Sequence, residues 1–463
     1  MSHQDKVVGR VRYHAEFLQQ AIQWMFKPVD WSGIQFREDC TWRPLHLAAA
    51  VLLWAWSDET TLGDRFFAAR RIIAHLYRPQ QEFAGSVQAF MKMLVKWTAP
   101  LLVLVQGALQ QRMQQALAKR WLVHGFAVFA ADGSREDLPR TRSHEAAYSP
   151  DTPRNPKKRD RRKKSRTKAK AKKANDRKAK TPLMWLTLLW HVGSGLPWCW
   201  RCGPSGSSER EHCRDMLAEL PERGLVTADA GFPGYEFLAA ILASGRHVLV
   251  RVGSNVHLLR KLGWVRESSQ TVYLWPDHAA QKNQPPIVLR LIVVQGPRHP
   301  IYLVTNLSAQ RLPDRAVKEI YHRRWGIELF FRHFKQTFQR RKLRSAKAEH
   351  ARVELEWSLL ALWSMACYAQ VEMQQQGVDP DGLSMAGVLR AFRRVLRDYL
   401  HPIQRGCSLA RRLARAVRDT YQRKNKKSRD YPRRKHPDPP AGSPQIRKAT
   451  SPQIRRARKL KAA

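Results

Sequence analysis

Three carboxylates stand apart in a chain whose 83 Lys and Arg outnumber 38 Asp and Glu by 45. They are Asp132 in "FAVFAADGS", Asp229 in "GLVTADAGF" and Glu328 in "YHRRWGIELFFRHFKQ". Each Asp follows an Ala, precedes a small residue and closes an apolar run, which predicts a carboxylate at a strand's end, where α/β folds place their chemistry. Taken singly, each has an ordinary explanation: an Asp caps helices and turns, and Arg324 with Glu328 makes an i,i+4 pair worth a few tenths of a kcal/mol. Taken together, two Asp and a Glu brought to one place repel one another unless divalent cations neutralise them. Two hard cations roughly 3.5–4 Å apart can activate a water or a 3′-hydroxyl and stabilise the leaving oxygen of a phosphodiester.

The element carrying Glu328 is predicted as a helix. At about 100° per residue, Tyr321, Arg324, Glu328 and Lys335 fall within a sector of roughly 60°. Ile320, Ile327, Phe331, Phe334 and Phe338 form the adjoining apolar stripe. The four polar residues thus border the face that packs on the core. Glu328 reads as a metal ligand in preference to a salt-bridge partner, with the cations around it as phosphate clamps.

Residues 1–120 carry apolar residues at helical spacing, as in "RPLHLAAAVLLWAW", and are expected to form a separate helical domain. Short β-rich runs follow, among them "PLMWLTLLWHV", "RHVLVRVG" and "IVLRLIVV", and several are apolar enough for central strands. Helical periodicity returns from residue 313. The fold class is therefore α/β: a mixed-sheet core over residues 121–345, with a C-terminal helical region over 346–420. The uncharged stretch Thr181–Trp200 is long enough to span a bilayer, but its Gly193, Gly195 and Pro197 read as strand, turn and strand.

Residues 154–180 hold 16 Lys or Arg against two Asp, a density expected to stay solvated and disordered. The tail over 421–463 reads the same way and ends in a short duplication, "SPQIRKAT" then "SPQIRRAR". Both tracts are expected to tether a polyanion through salt-dependent phosphate contacts. Six scattered cysteines imply no disulfide framework and suit a reducing cytoplasm. Cys199, Cys202, His212 and Cys213 could be drawn as a zinc site, but "CWRC" sits in an aromatic, strand-like run where buried structural cysteines are common.

The spacing Tyr321-x2-Arg324-x3-Glu328-x6-Lys335 resembles the Y-x2-R-x3-E-x6-K signature of bacterial insertion-sequence DDE transposases, whose catalytic core is ribonuclease-H-like. The resemblance spans about residues 125–370 and includes "ADGS" and "ADAGF". It implies that Asp132, Asp229 and Glu328 are catalytic and bind two Mg²⁺, with Mn²⁺ substituting. It also implies that Tyr321, Arg324 and Lys335 contact DNA phosphates. By the same resemblance, residues 253–300 are a β-rich insertion in which Trp264 or Trp275 could stack a displaced base, though core placement suits either better. The implied partners are double-stranded DNA, as terminal inverted repeats and as target, and a second copy of the chain in a homodimeric synaptic complex. No membrane partner is implied, and the location is the bacterial cytoplasm, in association with the nucleoid.

Two other functions fit the charge. One is a catalytically inactive, architectural DNA-binding protein, which would have no need of the three acids. The other is a ribonuclease-H-like nuclease without strand transfer, which the acids do not exclude. Deleting residues 154–180 should weaken binding to all DNA sequences alike and flatten its salt dependence in filter-binding titrations. Loss confined to one sequence would mean that the segment reads bases.

Overall fold

The β-rich runs pair into one continuous sheet. In the computed structural model, which describes residues 18–77, 83, 85–149, 181–296, 299–400, 408–418 and 441–462, ten strands follow the order β10-β6-β7-β8-β9-β5-β4-β1-β2-β3. They are β1 Val128–Asp137, β2 Leu183–His191, β3 Leu196–Gly203, β4 Leu225–Ala228, β5 His247–Val252, β6 His257–Arg260, β7 Thr271–Leu274, β8 Ile287–Val294, β9 Ile301–Thr305 and β10 Gln445–Lys448. Within β3-β2-β1-β4-β5, β2 is antiparallel to both of its neighbours, while β1, β4 and β5 run parallel. This is a mixed α/β core, with the strand order and directions expected of the ribonuclease-H-like resemblance. Strand β4 is buried along its whole length, as a central strand covered on both faces must be. The Thr181–Trp200 stretch is the β2–β3 hairpin, with Gly195 at φ 70° in its turn.

The helices, in chain order, are α1 (18–26), α2 Pro44–Trp56, α3 Leu62–Tyr77, α4 Val87–Ala116, α5 Arg142–Tyr148, α6 Glu209–Asp215, α7 Tyr235–Ala243, α8 Asp277–Gln281, α9 Asp314–Arg324, α10 Gly326–Arg332, α11 Ala348–Gln375, α12 Met385–Leu400, α13 Leu409–Ala414 and α14 Ser451–Ala462. Helix α11 is buried nearly all round, so it must be wrapped by other elements. The N-terminal helices do the wrapping. Trp56 Nε1 donates to Ala361 O at 2.9 Å, and Trp357 Nε1 to Thr98 Oγ1 at 2.9 Å. The expected separate N-terminal domain is thus fused to the rest through one apolar core, because α11 offers an apolar surface on every side. Helix α4 is long and apolar enough to cross a membrane by length and composition alone; its buried face holds Thr98 and Met113 against α11.

The β-rich stretch after β5 makes no second sheet: β6, β7 and β8 extend the main one through β9. The expectation of a disordered tail fails for residues 441–462. Strand β10 pairs in parallel with β6, and α14 comes after it. The basic composition misled because an unpaired edge strand offers backbone hydrogen bonds to any segment that can reach it. The 154–180 segment lies outside the described residues.

Arg340, 1% exposed, ties these layers together. It donates to Ser358 Oγ at 2.7 Å, Phe338 O at 3.0 Å and Ala55 O at 2.9 Å. Burial pulls its pKa down to about 9. Arg340→Met should leave those acceptors unpaired, at about 1–3 kcal/mol each, and lower the melting temperature by several degrees. An unchanged melt would show that water replaces the guanidinium.

Candidate active site

Register brings the two aspartates together. Strands β1 and β4 pair from Val128↔Leu225 to Ala131↔Ala228, so the next position in each chain sets Asp132 beside Asp229. Asp132 itself is not at a strand's end, as the sequence suggested. Strand β1 runs on to Asp137 because β2 continues to pair with it after β4 has stopped. Asp132 Oδ1 accepts from Gly133 N at 2.9 Å, and Asp229 Oδ1 accepts from Gly231 N at 2.8 Å. The second contact is an Asx turn that aims the carboxylate back along the strand. Burial drives the Asp132 pKa up to about 7. The Gly133 N–H and the Arg324 guanidinium oppose that rise, while Asp229 and Glu209 add to it.

Glu209 was not singled out in the sequence. It opens α6, whose cap Ser208 accepts from Glu211 N, and its half-buried carboxylate lies over Gly133 where any Cβ would overlap it. Burial raises its pKa, and Asp229 raises it further. Only the fold shows this acid, because "SSERE" reads as a plain helix start.

The signature segment is not one continuous helix. Helix α9 ends at Arg324 and α10 restarts at Gly326. Gly326 packs on the Trp190 ring so closely that a Cβ would overlap it. A π turn over His333–Thr337 then closes with Phe338 N donating to His333 O at 2.8 Å. The apolar stripe survives: Ile320, Ile327, Phe331, Phe334 and Phe338 are all buried. The polar face is divided. Arg324, 7% exposed, has its guanidinium 5.3 Å from the centroid of the half-buried Tyr321 ring. It donates to Glu328 Oε1 at 3.0 Å. The ion pair set aside in reading the sequence is therefore present, and Arg324 also acts electrostatically on Asp132. Lys335 points elsewhere. After the π turn its Nζ donates to Arg135 O at 2.7 Å and lies 3.6 Å from Glu136 Oε1, because the wider turn rotates it away from Glu328.

Among the described residues, no three His, Cys, Asp or Glu side chains converge closely enough to hold a metal ion. The acids that do gather supply only hard oxygens, a donor set that suits Mg²⁺ or Mn²⁺ and not a thiophilic ion. Arg324 stands where a cation would relieve their repulsion. The "CWRC" cysteines form no site: Cys199 and Cys213 are buried in the core, and His212 Nδ1 lies 3.0 Å from Thr187 Oγ1. Of the two suggested stacking residues, Trp275 is 3% exposed and donates to Gln284 O, and Trp264 packs half-buried against the core. The open aromatic next to the site is Trp325, 51% exposed. With Arg251, Arg315, Lys318, His322 and Arg324 it lines a cavity of about 930 Å³.

Residues 128–364, more than half of the chain, match the family model described as the transposase DDE domain. The chain belongs to that family. Over 207 residues this DDE-domain protein is 28% identical to the transposase InsG for insertion sequence element IS4 from Escherichia coli (strain K12). The match covers 42% of this chain and 46% of that relative, so the chain aligns with about half of the relative's length. The piggyBac transposase in a synaptic complex with hairpin DNA superposes over 90% of this chain and 88% of its own, at 11% identity and a TM-score of 0.40, too low to define a shared fold.

The raised Asp132 pKa has a signed consequence for the metal-free protein. A folded-state pKa of about 7, above the ordinary 3.8, means that this group's favourable contribution is complete below about pH 4 and is lost as pH rises through 7. Asp132→Asn should therefore gain melting temperature relative to the parent between pH 4.5 and pH 8. An equal difference at both pH values would show that the carboxylate is not desolvated.

Proposed function

We propose that the chain is the DNA transposase of an insertion sequence, acting in the bacterial cytoplasm. On this reading it binds its element's terminal inverted repeats and catalyses metal-dependent strand cleavage and strand transfer. What carries the proposal is the pairing of Asp132 with Asp229 at one sheet edge, with Arg324 linking that pair to Glu328, in a member of the transposase DDE family. The spacing of Tyr321, Arg324, Glu328 and Lys335 supports assignment to the signature group that it resembles.

In this mechanism Asp132, Asp229 and Glu328 would hold two Mg²⁺, with Mn²⁺ able to substitute. Bound there, the cations supply Lewis-acid activation of the attacking oxygen and charge relief on the leaving one. Burial raises the Asp132 pKa, and a divalent charge held beside it would favour the carboxylate form. Arg324 is positioned to exchange its hold on Glu328 for the scissile phosphate, whose developing charge it would stabilise. Tyr321 stacks beneath the guanidinium and keeps it aimed. Lys335 keeps β1 in register through the Arg135 carbonyl and binds a phosphate of the transposon end. Water hydrolyses the phosphodiester at the element's 3′ end, and the freed 3′-hydroxyl attacks the opposite strand, expelling the flanking 3′-hydroxyl to form a hairpin. A second hydrolysis reopens the hairpin to restore the 3′-hydroxyl, and that group attacks target DNA, expelling a target 3′-hydroxyl. Two ends are cut together in a homodimer.

The test is a labelled duplex carrying the flanking ends of the protein's own gene, incubated with and without Mg²⁺. Nicking at the element boundary should require the metal. Asp132→Ala, Asp229→Ala and Glu328→Ala should each abolish it, by at least about a hundredfold, while sparing DNA binding. If all three variants still cut, the site assignment is wrong.

A further inference from the structure

The duplicated pentapeptide Ser-Pro-Gln-Ile-Arg takes two conformations. Residues 443–447 enter strand β10, whereas residues 451–455 open helix α14. The difference lies in what precedes each copy. Thr450 heads the second and makes a reciprocal cap: its N–H donates to Gln453 Oε1 at 2.9 Å, and its Oγ1 accepts from Gln453 N at 3.4 Å, a capping box. Gly442, at φ 71°, heads the first and has no side chain with which to cap.

The strand and helix are firmly seated. Ser254 N donates to Ala441 O, Gln445 N to Val256 O and Ala449 N to Arg260 O, at 2.8–2.9 Å, and Lys461 Nζ donates to Trp264 O at 2.9 Å. On the helix, Ile454, Ala457 and Leu460 are wholly or partly buried. Arg455, Arg456, Arg458 and Lys459 are exposed, and at 100° per residue they occupy the outward half of the helix, a sector of roughly 160°. Residues 441–462 contain no Asp or Glu, and no ion pair among the described residues involves these four cations. The nearby Glu267 is engaged by Lys261 N, Gly263 N and Tyr273 Oη. Arg455 and Lys459, four apart, repel.

Strand polarity decides where this charge stands. Strand β5 is antiparallel to β9, β9 to β8, β8 to β7 and β7 to β6, while β10 is parallel to β6. Strand β10 therefore points the same way as β4, and the helix after it leaves from the edge that bears Asp229. Six strand spacings of about 4.8 Å separate β10 from β4, so α14 stands roughly 25–30 Å from Asp229, about eight base pairs along a duplex.

Resting on the transposase reading, we propose that Arg455, Arg456, Arg458 and Lys459 form a second contact with the backbone of duplex DNA, holding it about eight base pairs from the cleaved phosphate. A membrane surface is the poorer partner, because the apolar side of α14 is covered by the sheet extension and cannot insert.

The experiment compares the full chain with a variant carrying Arg455→Gln, Arg456→Gln, Arg458→Gln and Lys459→Gln, whose exposed sites should leave the melt unchanged. Binding to a 40-base-pair duplex is measured across salt. Four lost phosphate contacts should reduce the slope of log K against log salt by about 3.6, and hydroxyl-radical protection roughly eight base pairs from the nick should vanish. Ile454→Asn, which undocks the helix but keeps its charge, should lose that protection too. An unchanged slope or footprint in the fourfold variant overturns the proposal, as does lost binding to anionic vesicles with DNA binding intact. Nicking by the wild type reports separately on the transposase reading, which can fail while the slope change stands.

Discussion

Everything at the candidate site depends on how two carboxylates are kept side by side in a partly buried place. The β1–β4 register sets Asp132 against Asp229, and Glu209 comes over Gly133 to join them. Removing charged groups from water and crowding like charges are both unfavourable. The fold answers with a raised pKa at Asp132, an Asx turn at Asp229, and the Arg324 guanidinium between Asp132 and Glu328. Such an arrangement is poised to accept positive charge, and its strain is what a divalent cation would relieve.

That arrangement needs stiff support, and the architecture provides it. Strand β4 is buried along its whole length, and α11 passes through the molecule with the N-terminal helices wrapped about it. Arg340 links the end of the signature segment to α2 and α11. The break at Trp325, next to Gly326 where the Trp190 ring leaves no room for a side chain, and the π turn at His333–Thr337 divide the polar residues between two directions. Arg324 pairs with Glu328 and acts electrostatically on Asp132, while Lys335 reaches across to β1.

The same sheet gives the protein a long working edge. Because β6, β7, β8 and β10 extend the core sheet instead of forming another, the acid pair and the basic helix α14 share one rigid frame. A polyanion lying along that edge would meet opposite conditions at its two ends: clustered acids at one, and uncompensated cations at the other. A duplex bridged by metal ions at the first and gripped directly at the second would be held in a single orientation.

What the sequence determined by itself was local. Apolar, β-rich runs broken by Gly and Pro marked the β2–β3 hairpin and the core strands, and helical spacing marked the stripe from Ile320 to Phe338, because side-chain pattern reports which faces are buried. The Ala-Asp pairs stood out at the ends of apolar runs, and the Tyr321 to Lys335 spacing stood out through its resemblance to the transposase signature. Tertiary structure decided everything that depends on partners distant in the chain. Asp132 lies within β1 because β2 outruns β4. Glu209 joins the site only because α6 crosses Gly133. Glu328 pairs with Arg324 while Lys335 turns away to β1, beyond a break at Trp325 and a π turn that the helical pattern does not show. One pentapeptide became both a strand and a helix: the Thr450 cap is local, but the open edge of β6 that received the first copy exists only in the folded sheet.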